Sequence, residues 1–351
     1  MDAVGSPACP APSDGDGSRV LLAHGEGGRL MRQWIERQVL PRFADVGPLS
    51  QLGDAAVLPP LAGRPVLTTD SYVVSPLFFP GGDIGRLAVF GTANDLAVSG
   101  ARPRWMSLSL ILEEGLPLEL LGRVLDSVRA AASEAEVEIV TGDTKVVPRG
   151  AADRLFVNTS GIGELQINAP VGPTTLEPGD KLIVSGPIAR HGVAVLAARE
   201  PLLIEPMPTS DCGLLWPAVR ELLAARVPVR AMRDATRGGV AAVLHEWSRA
   251  SGKTMAVDER LLPLGSDVRG VCELLGLDPL HVANEGTMLV ATPREEAERA
   301  IEVMRTVPIS SGAQIIGEVE ALGFSSVTVR RALGRPMPLD EPSGAPLPRI
   351  C

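Results

Sequence analysis

Two successive series of strand and helix patterns restrict this chain to an α/β architecture. In the first series, apolar side chains repeat at the helical period from residue 118 to about 135. Asp83 is suited to the N-cap of an earlier helix that ends near Gly100. The predicted strands of this series are residues 64–69, 137–141 and 155–159.

The second series begins near Pro170 and repeats the same alternation. Its predicted helices are residues 188–199, a segment that follows the pair Gly238-Gly239, and residues 294–305. A turn and a strand are predicted within residues 174–186, and further strands at residues 287–291, 313–319 and 325–331. A chain of 351 residues is also long enough for two domains. We therefore predict a mixed α/β (α+β) fold with domains at residues 20–165 and 166–333, a disordered extension at 1–19, and a flexible tail at 334–351.

Charge and apolar runs exclude several classes of protein. The formal net charge is −9 and no basic stripe is present, which argues against a nucleic-acid partner. No run of 18 apolar residues indicates a membrane span, and the first residues lack the pattern of a secretory signal. The four cysteines form no C-x-x-C pair, which favours a reducing compartment. We expect a cytoplasmic protein.

The last eighteen residues, GRPMPLDEPSGAPLPRIC, differ from the rest of the chain. They contain five prolines and two glycines, so they cannot form a helix interior or a central strand. As a semi-extended arm, they reach roughly 50 Å at about 3.1 Å per residue. The arm ends in Cys351, which is unsuited to a core position.

The terminal thiol carries its own α-carboxylate, and a nearby negative charge disfavours the thiolate. Arg349 offsets this charge in part. A prenylation box is excluded because its cysteine stands four residues from the end. We interpret Cys351 as a functional thiol that depends on another site or a partner for its chemistry.

Several aspartates follow apolar runs beside small residues, a pattern that suits a magnesium-nucleotide site. They are Asp54, Asp70, Asp95 (after Asn94), Asp143 and Asp234. The segment Thr236-Arg237-Gly238-Gly239 adds backbone N–H groups for an anion before a helix. Taken singly, each aspartate is more often a turn or N-cap residue. The P-loop and the dinucleotide fingerprint are both absent, so a bound nucleotide would use neither of these loops.

The ordered motifs resemble the family of HypE hydrogenase maturation factors, the carbamoyl dehydratases. They are HGEGG, LGDAAVL, TTDSYVVSP, GTANDLAVSGARP, VTGDTKVV, RDATRGG, ANEGTM and the closing PRIC, and they extend over nearly all of residues 20–351. The wider superfamily includes aminoimidazole ribonucleotide synthetase, selenide phosphorylase and thiamine monophosphate kinase, which lack the cysteine tail. The resemblance implies a homodimer in which the N-terminal strands of two subunits form a shared barrel.

The resemblance also implies a reaction. The carbamoyltransferase HypF loads a carbamoyl group onto the terminal thiol, and ATP then drives dehydration of this S-carboxamide to a protein thiocyanate. The cyano group passes to the HypC–HypD complex and becomes a ligand of a [NiFe] hydrogenase. ATP and Mg²⁺ are the implied cofactors.

Site residues are transferred from the family by motif. The implied metal ligands are Asp54, Asp95 and Asp234. The implied nucleotide-site residues are Asp70, Asn94, Asp143, Thr236 and Gly238. The implied catalytic residues are Cys351 as the attachment point, Glu285 as the proton acceptor and Lys145 as an assisting charge.

Two other functions compete with this interpretation. One is a small-molecule phosphotransferase of the selenide type, which would have no use for the PRIC tail. The other is a non-catalytic carrier of the cyano group, which would have no need of the acidic motifs, Lys145 or Glu285.

Overall fold

The structure is a computed structural model that describes residues 18–26, 28–43, 48–49, 55–166, 169–199, 205–331 and 334–342. Its α-helices are α1 (Arg29–Trp34), α2 (Leu40–Phe43), α3 (Ile84–Val98), α4 (Leu118–Glu134), α5 (Arg190–Arg199), α6 (Trp216–Ala224), α7 (Gly239–Ser251), α8 (Ser266–Leu275) and α9 (Ala297–Arg305). Its strands are β1 (Pro65–Tyr72), β2 (Phe78–Phe79), β3 (Gly82–Asp83), β4 (Ala101–Glu113), β5 (Glu138–Val147), β6 (Leu155–Leu165), β7 (Lys181–Val184), β8 (Ala231–Asp234), β9 (Thr254–Asp258), β10 (Met288–Thr292), β11 (Gln314–Glu320), β12 (Val327–Arg330) and β13 (Pro336–Pro338).

The N-terminal half is built on a four-stranded sheet in the order β1-β6-β4-β5. β6 pairs antiparallel with β1 and β4, whereas β4 and β5 run parallel. α3 packs on the face where alternate residues of β6 are buried. On the opposite face, Leu67 and Ile111 are exposed in the described chain. One face of this sheet is therefore covered by helices and the other is open.

α3 lies between the two halves and is buried on almost every side, as expected for a helix without a polar face. It contacts β1, β6 and β4 of the N-terminal half, and α6 and β8 of the C-terminal half. Asp83 caps it by accepting hydrogen bonds from the backbone N–H groups of Gly85 and Arg86. The predicted N-cap is thus confirmed. The last turns of α3 lie at the junction of the two halves.

The C-terminal half contains a seven-stranded sheet in the order β13-β12-β9-β11-β7-β10-β8. α7 packs on one face through Val240, Leu244 and Trp247. The other face, which includes Ile183 and Val290, belongs to the same hydrophobic cluster as the N-terminal core. The two halves therefore share a continuous apolar interior.

The first part of the tail forms an edge strand. β13 pairs antiparallel with β12 at the end of the large sheet, where proline is tolerated because one side needs no ladder hydrogen bonds. The next residues, through Pro342, also pack on the C-terminal half. The tail predicted as flexible from residue 334 is thus in contact with the domain over its first part, and Cys351 lies outside the described residues.

The predicted fold class is confirmed, with mixed strands and helices in two halves. α4 matches the helix predicted over 118–135, and β5 and β6 extend beyond the strands predicted there. The extension predicted as disordered falls mainly on residues 1–17, outside the described part. Within the described residues, no helix is both long and apolar enough to cross a bilayer.

Candidate active site

Three aspartates from different elements meet near the junction of the two halves. Asp70 lies on β1, Asp95 lies on α3 and Asp234 ends β8. Burial raises the pKa of Asp95, and the charge of Asp70 raises it further. Burial also raises the pKa of Asp234 to about 7, with the charge of Asp95 as the next cause. These carboxylates are therefore close enough to repel one another in a partly dehydrated place.

Few protein groups compensate this negative charge. The hydroxyl of Thr68 donates to Asp95 Oδ2 at 2.8 Å. Arg237 Nη2 lies 3.8 Å from Asp70 Oδ1, and Arg233 Nε lies 3.8 Å from Asp234 Oδ1. Both guanidinium groups are more than half exposed, so solvent screens them. A cation would complete the compensation.

A cavity of about 450 Å³ borders this cluster. Its walls include Thr68, Asp95, Arg233 and Asp234, together with the connecting segment at residues 170–172. This volume lies within the usual range of ligand sites. A second cavity, of about 260 Å³, lies on the C-terminal sheet between Asp258 and Glu318 and does not include the cluster. The first cavity is therefore the candidate nucleotide site.

The glycine loop predicted to bind phosphate leads directly into α7. Gly238 and Gly239 have φ angles of 74° and 61°, a region that favours glycine. A Cβ on Gly239 would lie 2.5 Å from the carbonyl oxygen of Val282, so a side chain is excluded there. The loop thus presents the N-terminus of a thirteen-residue helix near Asp234. Phosphate contacts by Thr236 and Gly238 stay predictions.

Asn94 precedes Asp95 but points to different partners. Its Nδ2 group donates to the carbonyls of Gly213 at 2.9 Å and Glu285 at 3.2 Å, and its Oδ1 accepts from the N–H of Leu215. Both amide protons are therefore used within the protein. The observed role of Asn94 is to bind α3 to two segments of the C-terminal half, rather than to present donors to a nucleotide.

Glu285 lies behind α3 in a loop held by Asp211. The Asp211 carboxylate accepts from the N–H groups of Glu285 and Gly286 and from the hydroxyl of Thr287. Burial raises the pKa of this carboxyl, while these donors lower it. Nearby, burial raises the pKa of the Cys212 thiol well above its usual value, and the charge of Glu285 adds to the effect. Glu285 is therefore a buried carboxylate with a fixed backbone.

Tyr72 bonds Asp70 of the acidic cluster. Its hydroxyl donates to Asp70 Oδ2 at 3.2 Å and lies 3.1 Å from the Thr92 hydroxyl. Burial raises its pKa well above 10, followed by the charge of Asp70, with further contributions from Glu285 and Asp95. The charges of the predicted proton acceptor Glu285, the predicted nucleotide-site residue Asp70 and the predicted metal ligand Asp95 thus all act on one phenol.

The other predicted residues lie elsewhere or outside the description. Asp143 and Lys145 are exposed on β5, on the open face of the sheet, because their neighbours Thr144 and Val146 face the helices. One protomer therefore does not bring Lys145 toward Glu285. Asp54 and Cys351 lie outside the described residues.

Sequence reasoning missed Tyr72, Asp211 and Arg233. Tyr72 had a usable signal, since Thr68, Asp70 and Tyr72 alternate on one side of β1. Asp211 stands in an irregular segment, and only the fold brings it to Glu285.

The chain matches two family models in succession. Residues 52–165 match the N-terminal domain of AIR synthase related protein, and residues 177–330 match its C-terminal domain. The carbamoyl dehydratase HypE of Escherichia coli (strain K12) is 46% identical over 339 residues, which cover 95% of this chain and 100% of that protein. The chain belongs to the HypE family.

Solved HypE structures have the same fold. A HypE in complex with ATP is 43% identical, with a TM-score of 0.89, and the match covers 94% of this chain and 99% of that one. The HypE of a HypE–HypF complex is 42% identical, with a TM-score of 0.77 over 90% of this chain and 100% of the other. The family assigned from the sequence motifs is thus confirmed across both halves.

Proposed function

We propose that this chain is an ATP-dependent carbamoyl dehydratase that converts the S-carboxamide of Cys351 to a thiocyanate. The observation that carries the proposal is the acidic cluster beside a cavity, with Tyr72 bonded to Asp70 and Glu285 buried in a loop bonded to Asn94, in a member of the HypE family. The ATP complex of a HypE relative supports ATP as the cosubstrate.

The reaction has two steps that balance in atoms and charge. First, the carboxamide oxygen attacks the γ-phosphorus of ATP, the bond to the bridging oxygen breaks, and ADP leaves. Second, the C–O bond breaks with departure of phosphate while the nitrogen loses both protons, giving S–C≡N. One proton ends on phosphate and the other is released. Activation is needed because the amide oxygen alone is a poor leaving group, and phosphoryl transfer depends mainly on positioning and charge.

Glu285 is the proposed acceptor of a nitrogen proton. Its backbone is held by hydrogen bonds with Asp211 and Asn94, and the residue is only 7% exposed. Its charge adds to the causes that raise the pKa of Tyr72, which itself bonds Asp70. We propose that proton removal by Glu285 and phosphate formation occur in the same site.

Asp95 and Asp234 suit a magnesium ion because both supply carboxylate oxygens. No three His, Cys, Asp or Glu side chains form a metal-binding group in the described residues, and Asp54 lies outside them. Mg²⁺ often takes only one or two protein carboxylates and completes its shell with water and phosphate. When bound, it would neutralise phosphate charge, and it would also relieve the repulsion that raises both aspartate pKa values.

The open face of the N-terminal sheet supports a homodimer. Its edge strands β1 and β5 have no further partner in the described chain, and Leu67 on this face is 72% exposed. Pairing of these edges between two copies would close a barrel and leave neither strand as an exposed edge. Asp143 and Lys145 on β5 would then act, as we propose, on the neighbouring subunit's site. A molar mass of two chains in light scattering supports this arrangement, and one chain contradicts it.

Two protein partners follow from the family. HypF is the proposed source of the carbamoyl group, since a HypE relative forms a complex with it. The HypC–HypD complex is the proposed acceptor of cyanide, and the cytoplasm is the proposed location.

Intact and peptide mass spectrometry test the reaction. Protein carbamoylated at Cys351 and given Mg-ATP should lose the mass of one water from its C-terminal peptide, with ADP formed in equal amount. Cys351→Ala should show no loss, and Glu285→Gln should bind ATP but form no thiocyanate. ATP consumption without water loss in the wild type would instead favour a small-molecule phosphotransferase of the selenide type.

A further inference from the structure

The tail is attached to the C-terminal half well beyond β13. Leu339 is only 5% exposed and belongs to the hydrophobic cluster around α7, whereas Met337 is 51% exposed. The N–H of Leu339 donates to the carbonyl of Val327 at 3.1 Å. Leu339 is therefore an apolar contact that holds the tail in place.

Polar contacts continue over the next residues. His281 Nε2 donates to the carbonyl of Asp340 at 2.9 Å, and Arg249 Nη2 donates to Glu341 Oε1 at 2.6 Å. Beneath this stretch, burial lowers the pKa of His245, and Glu341 and the carbonyls of Leu339 and Asp340 oppose this effect. The tail thus meets side chains of α7 and of the turn Pro279–His281 at successive positions.

Pro342 brings the tail to the glycine loop of the candidate site. A Cβ on Gly238 would lie 3.4 Å from Pro342 Cγ, so the proline ring packs over that loop. The preceding residue, Arg237, lies 3.8 Å from Asp70 of the acidic cluster. The described tail therefore ends beside the place where the proposed chemistry occurs.

We propose that residues 339–342, the tail anchor, are positioning residues that set the starting point of the arm and hence the rate at which its thiol group reaches the active site. The inference rests on the proposed function. Nine residues, 343–351, remain beyond the anchor, and they would span about 28 Å at about 3.1 Å per residue. Release of the anchor, with β13 still paired to β12, would free thirteen residues, 339–351. Because effective concentration falls with the 3/2 power of tether length, release should slow the reaction about twofold.

The first experiment removes the apolar contact. Cys351 is carbamoylated with cyanate in a protein that also carries Cys9→Ser, so no partner protein is needed. Water loss is then followed in a single turnover with Mg-ATP. Leu339→Ala should slow this step about twofold with an unchanged Kd for ATP. Leu339→Met should restore the rate, and Met337→Ala, a matched control on the same tail, should have no effect.

The second experiment lengthens the arm without changing any contact. Insertion of four Gly-Ser pairs after Pro342 lengthens the segment beyond the anchor from nine to seventeen residues and should slow water loss about threefold. Equal rates for wild type, Leu339→Ala and the insertion would overturn the proposal, as would a Leu339→Ala defect matched by weaker ATP binding. Failure of the proposed function is distinct, because the wild-type protein would then lose no water.

Discussion

Asp211 and Asp234 are two acidic groups of the C-terminal half near its junction with the N-terminal half, but the chain satisfies them in opposite ways. Asp211 accepts hydrogen bonds from two backbone N–H groups and a hydroxyl, all from residues 285–287. Asp234 faces a cavity beside Asp95, with Arg233 at 3.8 Å. The first carboxylate organises a loop, whereas the second lacks compensation until a ligand supplies it. Similar burial thus accompanies two different roles.

The largest effect is expected from Asp95→Asn, which removes charge from the uncompensated cluster. Single-turnover water loss should fall roughly 100-fold or more, because charge neutralisation of the phosphates depends on this group. Stability in urea should not fall, since repulsion with Asp70 is relieved. Asp153→Asn, at an exposed position, is the matched control. Activity within threefold of the wild type would show that Asp95 does not take part in the reaction.

Asp211→Asn should mainly lower stability, whereas Asp95→Asn should mainly lower activity. The amide places an N–H group against existing donors and removes an ionic acceptor, so the free energy of unfolding should fall by about 2–4 kcal/mol. Urea denaturation monitored by tryptophan fluorescence measures this change. If the variant proves as stable as the wild type, the distinction between the two aspartates fails.

The pH dependence of stability sharpens the same comparison. The pKa of Asp234 is about 7 in the folded state, above the ordinary value of 3.8. Between these two pH values the folded state keeps the proton of Asp234, whereas the unfolded state loses it. Its contribution should therefore fall by about 1–3 kcal/mol as pH rises from 4 to 7. Asp234→Asn should flatten this slope, and Mg²⁺ should stabilise the wild type more at pH 8 than at pH 5.5. An unchanged slope in the variant would contradict this assignment.

Arg237→Met should have the smallest effect. The guanidinium is 84% exposed and only 3.8 Å from Asp70, so the free energy of unfolding should change by less than about 0.5 kcal/mol. The Kd for ATP should rise roughly threefold, and this difference should shrink as salt increases. Calorimetric titration at two salt concentrations checks it, and a large loss of stability would show that Arg237 is structural.

The sequence predicted those helices and strands whose pattern of residues lies within a single segment. The period of α4 and the cap of α3 are such cases. β4 was not predicted, and Pro103 explains why, since proline usually interrupts a strand. Here it stands at a register shift against β6, where the missing N–H is tolerated.

The site was predictable only in part for a related reason. The strand alternation at Thr68, Asp70 and Tyr72 could be read directly from the sequence. In contrast, the approach of Asp211 to Glu285 depends on how segments 74 residues apart pack. The open-face position of Lys145 similarly follows from the register of β5 with β4, which residue type alone does not fix.

Asn94 and Asp95 are adjacent on α3, yet one binds the Glu285 loop and the other faces the proposed phosphate site. The helix therefore contacts both the proposed site of oxygen phosphorylation and the loop of the proposed proton acceptor. A movement that shifted α3 would displace both groups together and leave their spacing unchanged. We therefore expect entry and exit of the proposed substrate arm to involve movement of segments other than α3.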